Sequence, residues 1–392
     1  MCTIAWCREQ ADLPSVCRTK STKRVDTRNH FIRRIFYGGL LLGASCLTGR
    51  FWLGSLWYYQ TAESAPDVDR CTAGVQLEAG VGDAKWIDNT HVLVGLDTGG
   101  IAVWNLEDDF RTFVLSHAAV GHDGVVTSVS VTCDKTKAAS SSHDRCIKLW
   151  DLSNTVQFYT TQAHSDIVYS IDCHPNESDL FVSCSQDGRI LVWDRRKVKP
   201  ASILNKSPLQ YTPTCVKWRP DNPYKLAVGS ESGQIVVLDT RAGVDNSYLN
   251  IAPHKRLVNN LQFCPNKPSL LASVSEDCKV VVCTTENETM KVIYSNTTHR
   301  DFVRGLTWST ESQLYTCAWD SRILLHDITK QTATFMGESS SCKLEVNGDI
   351  ADHPVENGSG DVGTDVDKSK LDQCKLSYSQ AVKSQPEMSA EG

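Results

Sequence analysis

Apolar residues in this chain fall into short runs that return at near-regular intervals. ILVW at 190–193, IVVL at 235–238, VVVC at 280–283 and ILL at 323–325 are examples, each closely flanked by polar residues such as Gly, Ser and Asp. Runs of Val, Ile and Leu with such borders read as β-strands. A continuous apolar run of this length suits a strand covered on both faces. No stretch holds an amphipathic helical period over a useful length, so the pattern predicts an all-β protein.

The runs sit inside a repeat. Ala138–Asp151 reads AASSSHDRCIKLWD, and Phe181–Asp194 reads FVSCSQDGRILVWD. Both end in Trp-Asp, with His122 and His164 standing 28 and 29 residues before Trp150 and Trp193. A His and a later Trp-Asp, on a period near 40–45 residues, mark one propeller blade. The ends of the presumed third strands are Trp57, Trp104, Trp150, Trp193, Leu238, Cys283 and His326, spaced by 43 to 47 residues. Seven marks predict seven blades, with Leu40–Ser45 as the second strand of the first. Units of this kind stack because none can bury its own apolar faces alone.

Charge divides the chain further. Residues 1–36 hold eight Arg and Lys against three acids, whereas Gly337 to the end holds 11 acids and 5 Lys. The tail is poor in aromatics and cannot offset its ordering entropy by burial, so disorder is expected there. The domain reading is a basic arm at 1–29, a propeller at 30–336 and an acidic tail at 337–392. The formal net charge of −6 gives no global electrostatic case for nucleic acid. The apolar segment after Arg33-Arg34 fits a strand better than a signal anchor, and no membrane association is expected. Of 16 cysteines, Cys133, Cys146, Cys173, Cys184, Cys215, Cys278, Cys283 and Cys317 fall in or beside predicted strands. There Cys behaves as a small buried hydrophobe. No Cys-x-x-Cys spacing occurs, so neither metal nor cofactor is expected, and the compartment is read as reducing, cytoplasm or nucleus.

The polar residues that recur point to satisfaction, not turnover. His before the first strand, Ser or Thr in the second, Asp in the following turn and Trp in the third can link by hydrogen bonds. The spacing gives His122, Ser140, Asp144 and Trp150, then His164, Ser183, Asp187 and Trp193. Partial sets follow: His254, Ser273 and Asp277 with Cys283, and His299, Thr316 and Asp320 with His326. Such groups are costly to bury without partners. A Ser-His-Asp trio repeated in several blades suits cement better than one catalytic centre. No Gly-x-Ser-x-Gly elbow or phosphate-cradling Gly loop accompanies it, so the chain is read as non-catalytic.

With these residues in place, the chain resembles the WD-repeat superfamily over roughly residues 30–330. The strings LLLGASCLTGRFWLGSLW, CTAGVQLEAGV, SCSQDGRILVWD, LLASVSEDC and HRDFVRGLTW resemble the methylosome protein 50 family. Its members are WD-repeat partners of the arginine methyltransferase that makes symmetric dimethylarginine. The resemblance implies a scaffold that binds and stabilises the enzyme in a four-plus-four hetero-oligomer. It also implies presentation of histones and spliceosomal Sm proteins. The family's anchor maps to Leu47–Trp52, so Trp52, with Arg50 and Phe51 beside it, is the expected partner interface. Arg and Trp are enriched in binding hot spots. Two other functions have cues in the sequence. Trp193-Asp194-Arg195-Arg196 fits the ending of substrate receptors for cullin-RING ubiquitin ligases, and the basic head would suit a stand-alone histone or nucleic-acid module.

Overall fold

The computed structural model describes residues 27–34, 38–48, 51–197, 199–204, 212–241, 249–286 and 289–336, with strand segments at 5–6 and 343–345. These residues fall in one compact unit, Met1–Val346. They form seven antiparallel sheets, each a meander of four consecutive strands, here called a to d. The blades cover residues 27–77, 81–120, 126–162, 168–203, 213–251, 258–296 and 303–335. The seven a strands touch their neighbours in succession and close a ring. The protein is a seven-bladed β-propeller.

Two-sided burial explains the unbroken apolar runs. Strand c of blade 4, Ile190–Asp194, and strand b of blade 6, Leu270–Ser275, are buried at every position. Strand d of blade 3, Val156–Gln162, lies at the rim and is mostly exposed. The buried apolar side chains form seven clusters, one at each seam between blades. At the seam of blades 3 and 4, Ile147 and Leu149 meet Val168, Ile171 and Trp193. Each fully buried Leu, Ile or Val contributes about 1.5–3 kcal/mol relative to exposure. The seam of blades 5 and 6 buries Ile235, Val237, Val258, Leu261 and Leu271 together, which outweighs any single polar contact.

A second device repeats in all seven blades. The a–b register shifts at Asn29/Phe31, Val81/Asp83, Val126/Ser128, Val168/Ser170, Pro213/Cys215, Val258/Asn260 and Val303/Gly305. A bulge aims its extra residue away from the ladder. That residue reaches the next blade: Thr127 donates to the Val168 carbonyl at 2.6 Å, Thr214 to Val258 at 2.7 Å and Asn259 to Val303 at 2.8 Å. In blade 2 the bulged residue is Gly82, where a Cβ would lie 2.2 Å from the Val126 carbonyl oxygen. Only glycine admits the next blade this closely.

The ring closes by packing. Strand a of blade 1, Thr27–Arg34, lies between strand a of blade 7 and strand a of blade 2. Ile32, Leu40 and Leu42 of blade 1 meet Tyr315, Cys317 and Ile323 of blade 7. The outer strand of blade 7 is Thr332–Phe335, directly after strand c. The head supplies instead the innermost strand of blade 1, which begins at Thr27, inside the stretch read as arm. Strand b of blade 1 is Leu40–Thr48.

Three further expectations are corrected. The third-strand mark of blade 1 is Tyr59, not Trp57. Tyr59 pairs with Leu40, which stands where Ala138 stands opposite Trp150. Trp57 lies two residues earlier on the same strand face, and its indole donates to Ser55 at 2.9 Å. Within the segment read as a disordered tail, Lys343–Glu345 pairs with strand d of blade 7; the rest of 337–392 lies outside the described residues. Cys133 is exposed, and Cys146 and Cys278 are half-buried, whereas the other five expected buried cysteines are buried.

Deleting residues 337–392 removes one short outer pairing and leaves all seven four-stranded blades. A loss of about 1 kcal/mol lowers the melting temperature of a protein of this size by roughly 1–2 °C. Circular dichroism melting of the truncated chain checks this; aggregation or a much larger drop would place core structure in the tail.

Candidate functional site: buried tetrads and a partner-facing edge

The tetrads form as linked hydrogen-bond chains. In blade 3, His122 Nε2 lies 2.7 Å from Ser140 Oγ, and His122 Nδ1 lies 2.8 Å from Asp144. The Trp150 indole donates to Ser140 Oγ at 2.8 Å. In blade 4 the matching distances, among His164, Ser183, Asp187 and Trp193, are 2.8, 3.0 and 2.9 Å. The proton order follows from donor counting. The indole N–H can only donate, so Ser Oγ accepts it and donates its own proton to His Nε2. The imidazole then donates from Nδ1 to the carboxylate.

Each carboxylate also ties the blade to its loops. Asp187 accepts the backbone N–H of Ser165 at 3.2 Å and of Arg189 at 2.9 Å. Burial alone would raise the Asp187 pKa. The hydrogen bond from His164 and these backbone donors outweigh it and hold the carboxyl at about 2. Asp277 in blade 6 is held at about 2 by the same balance with His254, Lys255 and Lys279. The carboxylate is thus the fixed end of each chain. It does not touch the tryptophan, whose indole depends on Ser183 alone.

Blades 6 and 7 keep three of the four residues. His254 bonds Ser273 at 2.7 Å and Asp277 at 3.2 Å, with buried Cys283 in place of tryptophan. In blade 7, His299 bonds Thr316 at 2.8 Å and Asp320 at 3.1 Å. There His326 replaces tryptophan and places Nε2 2.8 Å from Thr316 Oγ1. Burial and the neighbouring His299 push its pKa far below the ordinary value, so it is neutral. As the Nε2–H tautomer it reproduces the indole donor. That leaves Nδ1 as a buried acceptor, and the Tyr294 hydroxyl of blade 6 stands 2.8 Å from it. Blades 1, 2 and 5 have Leu42, Val94 and Val228 where Ser140 stands, and among the described residues no such chain forms there. The buried Trp104 indole in blade 2 accordingly has no hydrogen-bond partner.

The Ser-His-Asp geometry does not make a hydrolase. Ser140 is 1% exposed and Ser183 is fully buried. Each hydroxyl is already engaged by an indole and an imidazole, so no substrate can reach it. Among the described residues, no group of His, Cys, Asp and Glu is arranged to hold a metal ion. No described helix is long and apolar enough to cross a membrane.

The expected partner interface is only partly described. Arg50 lies outside the described residues, and of Phe51 only the backbone is described, at the start of strand c of blade 1. Trp52 follows, opposite Leu47 and half-buried. It stands at the seam with blade 2, where a Cβ on Gly80 would approach its Cβ to 3.1 Å. In the Trp193-Asp194-Arg195-Arg196 ending, the Arg196 guanidinium folds back on Asp194, with bonds of 2.8 and 2.9 Å. Sequence reasoning missed Tyr294, because its role depends on a neighbour across a seam. It also missed the inner-strand charges described below.

This architecture, with its tetrads, defines a WD-repeat β-propeller. The WD domain, G-beta repeat model matches residues 113–151, 155–194 and 290–327. The chain is 36% identical over 299 residues to the methylosome protein WDR77 of Xenopus laevis, covering 76% of this chain and 88% of that one. It belongs to that protein's family. A shorter match, 29% identical over 106 residues, links it to the human DDB1- and CUL4-associated factor 5, but spans only 26% of this chain and 11% of that one. A chain in a solved structure of the COPII outer coat vertex on membranes superposes with a TM-score of 0.65 at 18% identity. That match covers 77% of this chain and 84% of the other, a likeness of fold alone.

Two outcomes test the chains. Asp187→Ala strands the His164 Nδ1 proton and two backbone donors, at a cost of about 1–3 kcal/mol. Because the folded pKa of Asp187 is depressed, the carboxylate's contribution is present above about pH 4 and is lost as pH falls toward 2. Urea denaturation at pH 7 and pH 2.5 should show the variant and wild type converging in acid. Tyr294→Phe leaves His326 Nδ1 without a donor and costs about 1–3 kcal/mol by the same measurement; unchanged stability would remove Tyr294 from the chain.

Proposed function

We propose that this chain is the non-catalytic WD-repeat subunit of a methylosome. It binds and stabilises a type II, symmetric protein arginine methyltransferase, in a hetero-oligomer of four copies of each chain. In that assembly it presents protein substrates, histones and spliceosomal Sm proteins, in cytoplasm and nucleus. The observation that carries this reading is the identity to the Xenopus laevis methylosome protein across 88% of its length. A rigid propeller with loops on two faces suits the role, since recognition concentrates in loops held by a stiff scaffold.

Trp52 is the leading anchor, with Arg50 and Phe51 beside it. Trp52 is the second residue of strand c of blade 1 and is half-buried. Truncating a central aromatic anchor commonly costs about 2 kcal/mol or more, roughly a 30-fold loss of affinity. Trp52→Ala should therefore weaken binding to the methyltransferase of the same species by about that factor. Circular dichroism first verifies the fold, and calorimetry then reads affinity. Wild-type affinity in the folded variant removes Trp52 as anchor. No binding by the unaltered chain overturns the function, and capture of a cullin adaptor would then favour the ubiquitin-ligase reading.

A further inference from the structure

The a strands place a belt of polar side chains around the propeller axis. One residue per blade occupies the same register position, opposite the strand-b residue that follows the one facing the third-strand mark. In blades 1, 2, 4 and 5 these are Arg33, Lys85, Asp172 and Lys217, paired with Leu41, Leu93, Val182 and Ala227. Blades 3, 6 and 7 contribute Ser130, Gln262 and Thr307. Asp83 lies two residues before Lys85 and so on the same strand face.

The charges in this belt do not balance. Arg33 is paired with Asp83 at 2.6 Å, and Lys217 with Asp172 at 3.0 Å. All four side chains are 13–15% exposed, so little water reaches them. Both carboxylates are further saturated. Asp83 accepts from Ser128 and from the Val129 N–H, and Asp172 from the Trp218 N–H. Lys85 is the third cation and has no carboxylate of its own: the two ion-paired carboxylates are taken by Arg33 and Lys217, and among the described residues the Lys85 ammonium makes no hydrogen bond or ion pair. It feels the repulsion of Lys217, from the opposite arc of the ring, and of Arg33 from the adjacent blade. Burial first, then these two cations, lower its pKa to about 7 despite Asp83 and Asp172. The buried Gln262 Oε1 also lacks a partner. An amide can present either end to a ligand, since its O and N are assigned only from such bonds.

A partly buried cation facing two others is stabilised by a counter-ion. We propose that the axial channel is a binding site for a small oxyanion, held at the level of Lys85 between Lys85, Lys217 and Arg33. An oxyanion fits better than a halide, because Lys85 offers three N–H donors and the belt adds hydroxyl and amide groups to meet several oxygens. The anion would sit at the one place where seven inner strands converge. Its binding free energy would therefore add to the stability of the closed ring.

The test uses the full chain and sulfate, whose charge stays constant from pH 6 to pH 8. Melting is followed with sulfate from 0 to about 10 mM against chloride at matched ionic strength, and calorimetry reads the stoichiometry. The expected result is a saturable sulfate-specific rise in melting temperature, larger at pH 6 than at pH 8, with one site per chain. The sign follows from the groups facing the site. Lys85 gains its proton over that range, while, despite burial, Asp83, held below its ordinary value by Arg33 and Lys85, and Lys217, held above its own by Asp172, keep their charges. Lys85→Met should abolish the increment and Lys85→Arg should retain it without the pH dependence. Lys85→Met also controls for the general salting effect of sulfate, which it leaves intact. An increment equal in sulfate and chloride, or unchanged in a folded Lys85→Met, overturns the site. If Lys85→Met fails to fold, calorimetry on the wild-type chain still decides, since no heat at one site per chain is equally fatal. Retained methyltransferase binding by Lys85→Met separates this outcome from the functional reading above.

Discussion

Because each blade is covered on both faces by its neighbours, water is shut out of the interior of the sheets. Apolar side chains are welcome there, and seven clusters hold the ring together seam by seam. Polar groups at the same depth have to find partners inside the protein, since an unsatisfied buried donor or acceptor costs about 1–3 kcal/mol. Most of the recurring features answer that demand: the tetrads of blades 3 and 4, the three-residue versions in blades 6 and 7, and the bulge side chains that reach the next blade's carbonyl.

Blade 7 shows how strictly the demand operates. His326 in place of tryptophan supplies the same donor to Thr316 but brings a second ring nitrogen. That nitrogen is met by Tyr294 from blade 6. One substitution within a blade thus draws on a residue from another. Blade 2 shows the opposite outcome: Trp104 remains, the hydroxyl has become Val94, and the indole is left unmatched. The seam's apolar packing tolerates one such loss.

Polar satisfaction also separates structure from function. The groups that look most chemical, four buried Ser or Thr, His and Asp sets, are internal supports closed to substrate. Surfaces where a partner could be recognised lie at blade edges and loops, where the sequence no longer follows the repeat. The strings that resemble the methylosome protein family, Leu40–Trp57 and Cys71–Val81, make up most of strands b, c and d of blade 1, and many of their apolar residues are buried. The axial belt is a third category, polar and confined, with one more cation than its carboxylates match.

Strands, their period and the number of blades are legible in the chain before any fold is known. Those depend on local apolar runs and on turn residues that every blade repeats. The tetrads are legible there too, because His, hydroxyl, Asp and Trp keep fixed offsets within a single unit. Tertiary structure decided whatever depends on two units at once. The first mark is Tyr59 because strand register, and not the nearest tryptophan, sets equivalence. Blade 1 draws its inner strand from the head, and blade 7 its outer strand from the next few residues, because packing closes the ring without an exchanged strand. Tyr294 meets His326, and Arg33, Asp83, Lys85, Asp172 and Lys217 share one axis, though nearly two hundred residues of chain separate the first from the last. No offset within a repeat encodes such meetings. They exist only once the blades have packed against one another into the ring.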